Sequence, residues 1–153
     1  MKLIRCLFAV IALLSAASWA SAATFLLDDS QSQVLDPQVS LQWRSISPAK
    51  GDHQVMGQTR VHIKLDTRAW VGQQVRIFMA LPAQPSSTVQ ANWTVQNQTL
   101  QAGQLASGQR SLVWQGVVRQ SMLDDVMTVQ VQTDGRFLSS AQQLRFYFEV
   151  EVP

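Results

Sequence analysis

The chain has 153 residues, with 12 basic and 10 acidic side chains, two histidines and a single cysteine. Lys2 and Arg5 lie in the leader described next, and 12 less those two leaves ten basic residues against ten acidic ones. A chain without formal excess charge gives no electrostatic case for nucleic acid or an anionic membrane, and with Cys6 also in the leader no disulfide staples the remainder.

Residues 1–22 read as a secretory signal peptide. Met1–Arg5 is a short basic start, Cys6–Ala17 is apolar except for Ser15, and Ala20-Ser21-Ala22 is a small-residue cleavage site. The apolar run is too short for a comfortable membrane span, and no stop-transfer segment follows. The expected mature chain is therefore exported, without a membrane span, and starts near Ala23. Residues 23–37, closed by Pro37, read either as a first strand or as an N-terminal extension, with residues 38–153 forming one β-domain.

From there the pattern has period two, the signature of half-buried strands. Val39, Leu41 and Trp43 suggest the first. Val61, Ile63 and Leu65 mark the second, and Val75, Ile77, Met79 and Leu81 the third. Val89, Ala91, Trp93 and Val95 give another, followed by Leu112–Trp114 and by Met127, Val129 and Val131. The last and most regular run places Leu144, Phe146, Phe148, Val150 and Val152 on one face. Turn chemistry separates the runs at Ser47–Asp52, Pro82–Pro85, Ala102-Gly103, Ser107-Gly108 and Asp134-Gly135, the last being the strongest hairpin signal. Asp66–Trp70 and Arg119–Leu123 each have room for one helical turn. Val61, Ile63, Leu65, Ile77, Met79, Trp93, Val129, Val131, Phe146 and Phe148 are expected to face inward. The predicted class is all-β, an antiparallel sandwich of about seven strands.

Chemistry is sparse. His53 and His62 stand apart from any nucleophile motif, and a zinc site wants more ligands than the sequence gathers. The neighbours Asp28-Asp29 and Asp124-Asp125 point to opposite faces of a strand, which makes them poor acid–base partners and typical turn or edge residues. No catalytic residue, cofactor site or metal site is predicted. Of the four tryptophans after the leader, Trp43 shares a face with Val39 and Leu41, and Trp93 shares one with Ala91 and Val95. Core packing is the favoured reading for both. Asn92-Trp-Thr94 and Asn97-Gln-Thr99 fit the glycosylation pattern, which matters only in a host that glycosylates exported chains.

The leader, the short extension, the cysteine-free β-domain and the terminal run Leu144–Val152 together resemble a pilin-type subunit of a chaperone–usher fimbria. The resemblance covers most of the mature chain in layout. It implies an immunoglobulin-like sandwich lacking one strand, with Leu144, Phe146, Phe148, Val150 and Val152 bordering an acceptor groove. Phe25, Leu27, Val34 and Leu35 would then form the donor strand, around a polar centre at Asp28–Gln33. Implied partners are other fimbrial subunits or copies of this chain, a periplasmic chaperone and an outer-membrane usher. The implied route runs through the periplasm to the cell surface. The alternative is a secreted sandwich that is complete in itself and binds a ligand, such as a carbohydrate, through exposed tryptophan. A secreted enzyme ranks last. Residues 23–37 separate the first two: packed beside the terminal strand of their own chain, they favour the complete module.

Overall fold

The structure is a computed structural model that describes residues 22–36, 42–44, 53–84, 88–137 and 145–153. The leader up to residue 21, Val39, Leu41, the turn at 47–52, Pro85 and Leu144 lie outside the described residues. Among the described residues ten strands follow one another: β1 Ala23–Leu26, β2 Gln33–Val34, β3 Gln42–Trp43, β4 Gln54–Asp66, β5 Gln74–Ala80, β6 Gln90–Val95, β7 Gly103–Ala106, β8 Arg110–Val117, β9 Met122–Asp134 and β10 Tyr147–Val152. The seven predicted runs all carry strand. The additional three, β1, β2 and β7, are short.

The strands make two antiparallel sheets, and the chain is a β-sandwich. The first sheet runs β1-β10-β5-β8. The second runs β2-β4-β9-β6-β7, with β3 also on β4. The spine of the second sheet is the long pair β4 and β9, in continuous register from Gln54 opposite Asp134 to Asp66 opposite Met122. Alternation along each strand sends one set of side chains inward. Val75, Ile77, Met79, Phe148 and Val150 come from the first sheet, and Ile63, Leu65, Ala91, Trp93, Met127 and Val129 from the second, all buried. The expected core faces inward as predicted, with Val61, Val131 and Phe146 only half-buried at its margin. Among the described residues no helix is long and apolar enough to cross a membrane.

Two local expectations are corrected. Asp134-Gly135 does not turn a hairpin: a single 3₁₀ turn, Gly135–Phe137, follows β9, and β10 belongs to the other sheet. Gly135 is also absent from the positive-φ glycines, which are Gly72, Gly108 and Gly116. The predicted helical turn at Arg119–Leu123 is instead the entry to β9, which starts at Met122, whereas Arg68–Trp70 does form one 3₁₀ turn.

Residues 23–36 are woven into both sheets. β1 pairs with β10, Ala23 opposite Val152 and Leu26 opposite Glu149. The Leu27 N–H then donates to the Phe148 carbonyl (2.9 Å) and its side chain enters the core. The chain next crosses to the second sheet, where β2 lies on β4 with Val34 opposite Val61.

Candidate functional site

β2 and β3 occupy the same edge of β4 at different points, Val34 opposite Val61 and Trp43 opposite Val55. Gly57 and Gln58 lie in the interval between them. A cleft of about 860 Å³ sits there, lined by Asp36, Gln42, Trp43, Arg44, Met56, Gly57, Gln58 and Gln130. Gln58 and Gln130 are cross-strand partners on β4 and β9.

Trp43 dominates the cleft chemically. The Arg44 N–H donates to the Gln54 carbonyl (3.0 Å) and prolongs the short β3 ladder. The indole rests against Gly135 and Val55: a Cβ on Gly135 would stand 2.7 Å from the Trp43 ring and 2.9 Å from Val55 Cγ1. A side chain at position 135 would therefore occupy the space the ring uses. Even so, Trp43 remains 57% exposed. This corrects the core assignment made for it: a two-residue edge strand on the first residues of β4 gives the ring support from one side only. Trp93 is buried as expected, its indole N–H donating to the Gln101 carbonyl (2.8 Å), and Trp70 and Trp114 pack half-buried on the core.

Asp36 is committed to Arg60. The guanidinium forks onto the carboxylate, Nε to Oδ2 at 2.9 Å and Nη2 to Oδ1 at 3.0 Å, and the Arg60 N–H adds a bond of 3.1 Å to Oδ2. These bonds, with the cation's charge, hold the Asp36 carboxyl below its ordinary value. His62 Nε2 lies 3.3 Å from Asp124 Oδ2, away from the Trp43 cleft residues, and His53 donates no side-chain ligand to them. Among the described residues no group of three or more His, Cys, Asp or Glu is placed to hold a metal ion.

The residues assigned by resemblance fall as follows. Phe25 lies opposite Val150 in the register of β1 and β10, and Leu27 is buried in the core of the same chain. Val34 and Leu35 are exposed on the second sheet, away from β10. Phe148 and Val150 are core residues, Phe146 and Val152 are half-buried, and Leu144 is outside the described residues. β10 has a neighbour on each side, β1 and β5, so both of its edges are paired within this chain.

Sequence reasoning missed the cleft. Its residues come from positions 36, 42–44, 56–58 and 130, and each segment alone reads as ordinary strand or loop. The available signal was a tryptophan flanked by the polar Gln42 and Arg44.

No family model matches this chain, and no curated protein matches it. Among solved structures, it is similar to the C-terminal family 22 carbohydrate-binding module of Clostridium thermocellum Xyn10B, at 15% identity over 80% of this chain and 85% of that one. The TM-score is 0.25, too low to transfer any property of that module to this chain.

Proposed function

We propose that the mature, exported chain is a non-catalytic β-sandwich binding module that takes a neutral glycan in the Trp43 cleft. The observation that carries the reading is an indole 57% exposed, seated on a glycine at a cleft whose lining includes the amides Gln42, Gln58 and Gln130 beside Met56, Arg44 and the Asp36 carboxylate. An exposed indole stacks on the apolar face of a sugar ring, while amides both donate to and accept from its hydroxyls. Such a site, apolar on one wall with a few placed polar groups, suits a small neutral ligand. Hydrolysis of a glycoside ordinarily needs two carboxyl groups, one of them kept protonated by a raised pKa. The carboxyl lining this cleft, Asp36, is shifted the opposite way and locked to Arg60.

The same placement of residues 23–36 favours a complete module over a subunit awaiting a strand. The second reading, a fimbrial subunit assembled by chaperone and usher, draws its support from β1. That strand is four residues long at a sheet edge, with Phe25 49% and Leu26 72% exposed, and is short enough to exchange between copies.

Affinity electrophoresis of the mature protein through gels containing neutral glucan, mannan or xylan tests the first reading. Retardation by at least one polymer is expected, and Trp43→Ala should weaken binding about tenfold or more with an unchanged melting temperature. A mature chain that ignores all three polymers and sediments as strand-exchanged oligomers would favour the fimbrial reading.

A further inference from the structure

Phe25, Leu26, Val34 and Leu35 are four of the seven large apolar side chains left exposed among the described residues. They share one side of the sandwich. β1 ends the first sheet, β2 ends the second, and the chain between them passes directly from one edge to the other. The bond from the Leu27 N–H to the Phe148 carbonyl decides which backbone groups β1 leaves over. Antiparallel alternation turns those of Ala23 and Phe25 toward β10 and those of Thr24 and Leu26 away from it. No described residue meets that outward row. Nor does β1, Ala-Thr-Phe-Leu, carry the charge, proline or bulge that usually guards an edge. The other edge of the same sheet is guarded: β8 has a register shift against β5 at Ile77/Phe78, and its Val113 carbonyl accepts from the Gln101 N–H (2.7 Å).

We infer that β1 pairs antiparallel with β1 of a second copy of this chain, giving a two-fold dimer in which the first sheet runs on without a break. Parity fixes the register. Thr24 and Leu26 alone present outward backbone groups, and the pairing that uses both puts the dyad at Phe25. Thr24 and Leu26 then exchange ladder bonds with Leu26 and Thr24 of the second copy, while the two Phe25 residues meet directly. Symmetry is the first argument for this occupant. A strand paired with itself about a two-fold closes at two copies and leaves neither β1 edge open. The second is area. The dyad stands normal to the sheet, so both second sheets lie on one side of it and their β2 edges, with Val34 and Leu35, face each other. The exposed parts of the four apolar side chains come to on the order of 400 Å², about half of the ~800 Å² per partner that a specific interface buries. The third is charge. Cleavage after Ala22 leaves an α-ammonium on Ala23, which this register sets beside Leu27 and Asp28 of the second copy. The exposed Asp28 carboxylate accepts from the Ser30 N–H (2.9 Å) and is met by no described cation.

Sedimentation of the mature protein tests the dimer, and engineered cysteines test its register, since Cys6 leaves with the leader. Twice the mass of one chain is expected across the micromolar range. Phe25→Cys should cross-link into a covalent dimer under mild oxidation, because directly opposed residues at a position without ladder bonds stand about 4.5 Å apart at Cα, within disulfide range. Leu26→Cys, whose two copies sit two steps out of register, should stay uncross-linked. A single-chain mass throughout that range overturns the dimer. So does a dimer in which Phe25→Cys fails to cross-link, the result that strand exchange would give by returning Phe25 to its place opposite Val150. Cross-linking of Leu26→Cys as readily as of Phe25→Cys overturns the register and with it the pairing.

Discussion

Asp125 has no solvent exposure, and its oxygens serve the backbone. Oδ1 accepts from the N–H groups of Asn97 (2.8 Å) and Val126 (2.7 Å), and Oδ2 from that of Leu100 (3.1 Å). The carboxylate thereby fastens the loop between β6 and β7, where Gln98 is held at φ 59°. Burial pushes its pKa up, but the backbone donors outweigh burial and the net shift is downward. A depressed carboxyl stabilises the fold fully above its ordinary value of 3.8 and loses that contribution as pH falls through the folded value. Asp125→Ala, which orphans those donors, should cost about 2–3 kcal/mol in urea unfolding at neutral pH. An unchanged midpoint would show that the loop is held by something else. The pairing rule applied to Asp124-Asp125 gave their opposite directions, but not this role, because two of the three donors, Asn97 and Leu100, arrive from a loop 28 and 25 positions away. Gly135→Ala acts in the cleft instead. Its methyl would stand 2.7 Å from the Trp43 ring, so glycan retardation should fall toward the Trp43→Ala level while the Trp43 emission shifts. Wild-type binding by this variant would separate the ring's seat from its function.

Among elements, β1 shows where sequence reading stops. β4, β6, β9 and β10 were legible because strict alternation over six or more residues has one solution, a half-buried strand. β7 holds one buried apolar residue, Leu105, and no periodicity can be read from one. Phe25 of β1 and Leu27 just after it make an alternating pair, but the partner of β1 lies at the opposite end of the sequence, and short-range pattern carries no information on pairing at that distance. The first sheet is also tied laterally: Glu151, buried on β10, is held by Arg76 of β5 and by Arg110 of β8 (3.0 Å), and Arg110 stacks over Phe78. Phe148, 1% exposed, is the better probe of this core than the half-buried Phe146. Phe148→Ala should cost about 3–5 kcal/mol, and Leu27→Ala about 2–4 kcal/mol, by urea unfolding. Removing residues 23–27 should bare the edge of β10 and shift the protein toward larger aggregates than the parent by size-exclusion chromatography. A truncated chain as stable as the parent and no more aggregated would mean that β1 adds nothing to the closed sheet.

At the scale of the whole molecule, the sandwich was legible and the cleft was not. A strand's burial pattern is local, whereas Asp36, Trp43, Gln58 and Gln130 meet only because two short strands share one edge of β4. The charge pattern sets the response to acid. Hydrogen bonds from Ser30, Arg60 and Arg136 lower the carboxyls of Asp28, Asp36 and Asp134, the last to about 2, and Asp125 moves the same way; burial raises Asp29 against them. Stabilisation from the lowered groups is complete above 3.8 and drains below it, so the melting temperature should hold from neutral pH to about pH 4 and then fall. A steady decline beginning near neutrality in a thermal-melt series would contradict that. The pairing of Ala23 with Val152 has a further consequence, for the order in which the molecule assembles. Closing that pair brings together the two most distant strands of the sequence, a slow search for a free chain. A circular permutant, its ends joined by a short linker and reopened beside the exposed Gly108, keeps every strand neighbour while converting that pairing into a hairpin. It should refold faster than the natural order at nearly equal stability.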